Sequence, residues 1–188
     1  MKAAIIGGTF NPIHIGHLFV AEEVLNELNY EKIIFIPANI PPHKTIAAKI
    51  NVQQRIKMIK YALKPYKNYI YDECEIDRGG ISYTVDTVEY IKKKYKIEKL
   101  GYILGDDLVK EFYTWKNATE LSERADLIVV HRKYKEELDF KYKHKYINNY
   151  ILRISSSEIR TRIASGKSVR FLLTKDVFNY ININKLYK

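Results

Sequence analysis

Short runs of β-branched and apolar residues alternate along this chain with longer stretches whose apolar positions recur every three or four residues. That alternation limits the fold more than any other feature. Residues 3–7, 32–36, 69–72, 100–104 and 127–130 have the length and residue types of buried strands, the second of them stopped by Pro37. Between them, residues 16–28 place Leu18, Ala21, Leu25 and Leu28 along one side of a helix. Residues 84–94 do the same with Val85, Val88 and Ile91. Asn51, followed three residues later by Gln54, opens a helix over 51–63 with a capping-box pattern. Helical pieces follow at 108–112 and 118–123, then a helix over 156–163 and a final one from about residue 174; residues 150–154 are the candidate for a last strand. Strands alternating with crossover helices predict an α/β fold: a doubly wound, mostly parallel sheet with helices on both faces. The 188 residues suit a single domain, 1–188. Residues 133–149, charged and tyrosine-rich with weak periodicity, read as a surface excursion rather than a second domain.

Composition narrows the partners. The hydrophobic fraction of 46% and charged fraction of 29% belong to an ordinary globule, and no apolar run approaches a membrane span, so no membrane partner is expected. Met1-Lys2 runs straight into a strand rather than into a signal-peptide block, and the single Cys74 has no internal disulfide partner; both favour a cytoplasmic setting. A net charge of +10 invites a nucleic-acid reading. The lysines are scattered, however, as in Lys92-Lys93-Lys94 and Lys141, Lys143 and Lys145, which favours solvated faces and no nucleic-acid partner. A positive field that attracts small polyanions accounts for the sign equally well.

Doubly wound sheets bind ligands at the carboxyl ends of their strands, and the polar motifs of this chain fall just after predicted strands. The first is Gly7-Gly8-Thr9-Phe10-Asn11-Pro12-Ile13-His14-Ile15-Gly16-His17. Gly7 and Gly8 let the backbone bend away from the strand and approach a ligand. Gly16 removes a Cβ where the helix start would press on that ligand. The helix N-terminus offers backbone N–H groups to a phosphate, and His14 and His17 add side-chain donors at the same point. The alternatives are a structural pair or two ligands of a metal, but no acid or cysteine stands nearby at a helpful spacing, so no protein-held metal is expected.

This block resembles the signature of the nucleotidyltransferase superfamily, whose core is Rossmann-like. Within it, the chain is similar to the family of bacterial nicotinate-mononucleotide adenylyltransferases, on five separated blocks in order. The resemblance implies adenylyl transfer from ATP to nicotinate mononucleotide, with Mg²⁺ carried mainly on the ATP phosphates. It implies ATP-binding roles for Gly7, Gly8, Thr9, Phe10 and Gly16, and catalytic roles for His14 and His17. The second block, Pro37-Ala38-Asn39-Ile40-Pro41-Pro42-His43-Lys44, is stiffened by its prolines. The resemblance implies that its His43 approaches the mononucleotide and that Lys44 acts as a point charge on the reacting phosphates.

In the third block, Arg78-Gly79-Gly80-Ile81-Ser82-Tyr83-Thr84, either Ser82 or Thr84 is a candidate helix cap. The resemblance implies that Ser82, Tyr83 and Thr84 receive the nicotinate carboxylate. The fourth block gives Gly105 and Asp107 for ATP and Trp115 as the aromatic against the nicotinate ring, although a lone tryptophan by residue type alone favours burial. The fifth, Ile154-Ser155-Ser156-Ser157-Glu158-Ile159-Arg160, puts serine donors at a helix start and Arg160 one turn on, where its fork suits phosphate oxygens. Here the resemblance implies ATP contacts from Ile154, Ser155 and Ser156 and a catalytic role for Arg160. His131-Arg132-Lys133-Tyr134 departs from the family pattern by lacking a proline-glycine after the arginine, and Arg132 receives no role.

Other readings fit less well. A phosphopantetheine acceptor needs neither an aromatic platform nor a carboxylate clamp, and a tRNA synthetase needs more chain than this. A nucleic-acid module leaves the histidines without purpose. A silent nucleotide sensor would not need the full set of basic side chains. Whether copies of the chain form a homo-oligomer is left open.

Overall fold

The computed structural model describes residues 1–42 and 50–188. Among the described residues, six parallel strands form one sheet in the order β3-β2-β1-β4-β5-β6. They are β1 (Lys2–Gly8), β2 (Lys32–Pro37), β3 (Tyr69–Tyr71), β4 (Lys99–Gly105), β5 (Asp126–Val130) and β6 (His144–Ile147). The helices between them are α1 (Ile15–Leu28), α2 (Val52–Leu63), α3 (Cys74–Arg78), α4 (Thr84–Lys94) and α5 (Ala118–Arg124). A 3-10 helix, Asp106–Thr114, leaves β4, and α6 (Ser156–Ala164) and α7 (Lys175–Ile183) close the chain.

The continuous apolar runs of the central strands serve two cores, because successive side chains point to opposite faces. Ala4, Ile6, Ile33, Phe35, Ile128 and Val130 meet α1, α2, α6 and α7 on one side. Ala3, Ile5, Ile34, Ile36, Leu127 and Val129 meet α4 and α5 on the other. Chain order reverses between β1 and β4, the central pair, so the loops leaving these two strands diverge and open a crevice at their carboxyl ends.

Most expected elements stand within a residue or two of their predicted bounds, and Asn51 and Gln54 make the reciprocal capping bonds, each 2.9 Å. Pro37 is the last residue of β2 rather than its stop. The last strand is a correction. Residues 150–154 carry no strand, and Tyr150 is 81% exposed. The sheet edge is instead filled from within the expected surface excursion, where His144–Ile147 pairs with Leu127–Val130. The short α3 was not anticipated.

Candidate active site

The crevice holds a cavity of about 290 Å³. Its walls come from the end of β1 (Gly7, Gly8) and the turn Thr9-Phe10-Asn11, from the start of α1 (His14, Gly16, His17), and from the end of β4 (Gly105). The loop after β5 and the start of α6 (Ile154, Ser155, Ser156, Arg160) complete it. Two helix N-termini therefore open on one space, bringing unsatisfied backbone N–H groups and positive dipole ends together. Among the described residues, no lining side chain is acidic, whereas Arg132 and Arg160 both line it. That set of donors attracts an anion.

His14 is the N-cap of α1, in extended conformation, and is buried at 4% exposure. Its imidazole stacks on that of His17, with ring centroids 3.7 Å apart. The His14 backbone N–H donates to His17 Nδ1 at 3.2 Å, so the His17 proton sits on Nε2. Burial, with Arg132 adding to it, pushes the His14 pKa down from 6.5 to about 3. The same burial, the neighbouring His14 and Arg132 hold His17 well below its usual range. Both rings are neutral at pH 7 and each carries a single N–H. A Cβ at Gly16 would stand 3.1 Å from His14 Nδ1, so the glycine makes room for the ring as well as for the cavity. Phe10 sits at φ 46°, a left-handed conformation costly for a bulky residue, with its ring packed edge-on against His17 and tilted against Phe35.

Across the crevice, the Ser155 side chain caps α6 by accepting from Glu158 N at 3.1 Å. Ser156 Oγ donates to Pro12 O at 2.8 Å, and Arg160 Nη1 donates to Asn11 O at 2.7 Å. These bonds tie α6 to the first turn. Both arms of the Arg160 fork thus touch the protein, Nη1 on Asn11 O and Nη2 donating to Ser157 Oγ.

Of the expected acceptor residues, Ser82, Tyr83, Thr84 and Trp115 lie beside this cavity rather than in its wall. The N-cap of α4 is Tyr83, with Thr84 the first helical residue; neither Ser82 nor Thr84 caps it, a correction to both candidates. The Ser82 hydroxyl is committed elsewhere, accepting from Asn39 N at 2.8 Å, and Asn39 Nδ2 donates to Gly80 O. Trp115 is half-buried against Phe112 and meets Tyr102 edge-on at 6.0 Å. Tyr102 in turn lines the cavity and has Thr84 as a side-chain neighbour, so it links the two regions. Asp107 stands outside the lining and holds Arg132 at 3.3 Å. A Cβ at Gly105 would overlap both Asp107 and Arg132, which explains the glycine there. His43 and Lys44 lie outside the described residues.

Sequence reasoning passed over four residues here. Arg132 faces the cavity, and Tyr102 joins its two sides. Asp106, fully buried, accepts from the Lys133 and Tyr134 backbone N–H groups and so fixes the loop that carries Arg132. Arg55, 1% exposed, donates to Thr9 O and Ala38 O. Only the buried position of Arg55 on an amphipathic helix could have singled it out; Arg132 stood in a block that departs from the family pattern, Asp106 at the variable position between Gly105 and Asp107, and Tyr102 inside a strand. Among the described residues, no group of three or more His, Cys, Asp or Glu is placed to hold a metal ion, and no helix is long and apolar enough to cross a membrane.

A parallel sheet with a phosphate-suited crevice at the β1/β4 reversal defines a nucleotide-handling transferase fold, and the chain belongs to the Cytidylyltransferase-like family, whose profile matches residues 5–162. Among its curated relatives, a probable nicotinate-nucleotide adenylyltransferase of Borrelia garinii subsp. bavariensis is 51% identical over 187 residues, covering 100% of this chain and 95% of the relative. One of the same description from Clostridium tetani is 34% identical, covering 100% and 99%. The solved Plasmodium falciparum nicotinic acid mononucleotide adenylyltransferase, complexed with NaAD, superposes with a TM-score of 0.81 at 20% identity, covering 98% of this chain and 96% of its own.

Proposed function

We propose that this chain transfers the adenylyl group of ATP to nicotinate mononucleotide, giving nicotinate adenine dinucleotide and pyrophosphate in NAD biosynthesis. The observation that carries this reading is the acid-free crevice where two helix N-termini, a stacked pair of neutral imidazoles and two arginines converge. Its close relatives are described as enzymes of this activity.

The mononucleotide phosphate oxygen attacks the α-phosphorus of ATP; the new P–O bond forms as the bond to the β-phosphate oxygen breaks, and pyrophosphate departs. The attacking phosphate is already anionic near neutral pH, so no protein base is required. Catalysis is alignment together with stabilisation of charge on the phosphate oxygens. His17 donates through Nε2, the nitrogen its helix bond leaves protonated, and His14 donates from the stacked ring. Arg160, joined by Arg132, takes the departing pyrophosphate, and Lys44 serves the reacting phosphates. Gly7, Gly8, Thr9, Phe10, Gly16, Gly105, Ile154, Ser155 and Ser156 form the ATP bed, with Asp107 holding Arg132 beside it. Mg²⁺ enters as the companion ion of ATP, held by its oxygens. His43, Ser82, Tyr83, Thr84 and Trp115 receive the nicotinate end, where the start of α4 favours a carboxylate.

Pyrophosphate release with MgATP, measured side by side for the acid and the amide mononucleotide, tests this. The acid is expected to react at least tenfold faster. No release with the acid would overturn the function, and equal rates would remove the carboxylate preference.

A further inference from the structure

Arg55 carries a positive charge into the interior without a carboxylate to meet it. It projects from α2, is 1% exposed, and forms no salt bridge among the described residues. Residues 43–49 contain no aspartate or glutamate to supply one. A buried, unpaired cation is costly, so its retention asks for a compensating use. Its Nη1 spans two carbonyls, donating to Thr9 O at 2.9 Å and to Ala38 O at 2.8 Å, while Nη2 is buried without a hydrogen-bond partner among the described residues.

Those two carbonyls belong to different halves of the site. Thr9 lies in the turn that lines the phosphate cavity. Ala38 follows β2, donates its own N–H to Gly8 O at 2.9 Å, and precedes Asn39, whose backbone N–H donates to Ser82 Oγ. Ile40 and Ile81 then form a β-bridge, and Ser82 N donates to Ile40 O at 2.8 Å. A continuous path of short bonds thus runs from the glycine turn through Arg55 to the residues before α4, with the guanidinium joining the turn to the loop after β2 and the Ser82 hydroxyl joining that loop to the residues before α4. Lysine is a poor substitute at the guanidinium joint, since its ammonium stands one bond nearer the backbone than Nη1 and no planar group holds it rigidly between the two carbonyls.

We infer that Arg55 is a positioning residue, which sets the separation between the triphosphate turn and the acceptor loop and so aligns the attacking oxygen with the α-phosphorus. This rests on the adenylyl-transfer reading. It predicts loss of rate without loss of grip, because each half can still hold its own substrate while the two are misregistered.

The test compares Arg55→Lys and Arg55→Gln with the wild-type chain by pyrophosphate release, with KM determined for each substrate and folding followed by circular dichroism. Arg55→Lys is expected to remain folded, with kcat down tenfold or more and both KM values within about threefold of wild type. Arg55→Gln should fall further, or fail to fold, in which case the lysine variant decides. Wild-type kcat in Arg55→Lys overturns the inference. So does a loss that tracks the unfolded fraction and recovers on cooling. If the wild type itself releases no pyrophosphate, the functional reading fails along with it; wild-type release with unimpaired variants sinks the Arg55 role alone.

Discussion

An imidazole need not be charged to donate to an anion, and in this crevice both imidazoles are neutral. Burial, reinforced by Arg132 and for His17 by the neighbouring His14, keeps both rings neutral, and the His14 backbone N–H fixes the tautomer of His17. His17→Asn separates the two jobs of that ring, since the amide oxygen can take the place of Nδ1 while nothing replaces Nε2–H. Its melting temperature should stay close to wild type while kcat falls by about 10² or more, the scale for losing one transition-state donor; near-normal turnover would leave Nε2 without a role. The depressed titration also sets a pH dependence. The unfolded chain binds protons near pH 6.5, whereas folded His14 resists them until about 3. The stability owed to the neutral rings is therefore complete above 6.5 and is lost progressively as pH falls toward 3. Urea midpoints should drop between pH 7.5 and 5, and the slope should be shallower in His14→Asn. At this scale the sequence disclosed the histidines through their spacing. Their stacking, the tautomer and the presence of Arg132 depend on how separate strand ends converge, which no local motif encodes.

Among the elements, local chemistry and helix register were legible together. The α2 capping box is formed as its residues suggest, and Asn51→Ala should lower stability by about 1 kcal/mol, measured by urea unfolding. The α4 face built from Val85, Val88 and Ile91 is buried as its spacing implies. The failures have physical causes. The stretch 150–154 has strand-like residues, but the open edge of β5 is already paired by β6, leaving Tyr150 exposed at the mouth of the cavity. A five-residue helix such as α3 is too short to show a period, and the cap of α4 fell to Tyr83 because Ser82 turns back to Asn39.

On the scale of the molecule, the alternation of strand and helix was sufficient for a doubly wound sheet, since each central strand buries both faces. It did not disclose that the far end of the chain reaches the first loop. Tyr187, 3% exposed, donates its hydroxyl to Asn11 Oδ1 at 2.7 Å, and Leu172 O accepts from Ile15 N at 3.1 Å. The first turn is thus clasped by residues on either side of α7, in a terminal segment seated in the core through Val169, Leu173, Val177 and Ile181. Terminal helices detach at lower free-energy cost than central strands. Enzyme activity should accordingly disappear at a lower urea concentration than the ellipticity of the sheet. Loosening the tail would act as a silencer, leaving a compact molecule that no longer turns over.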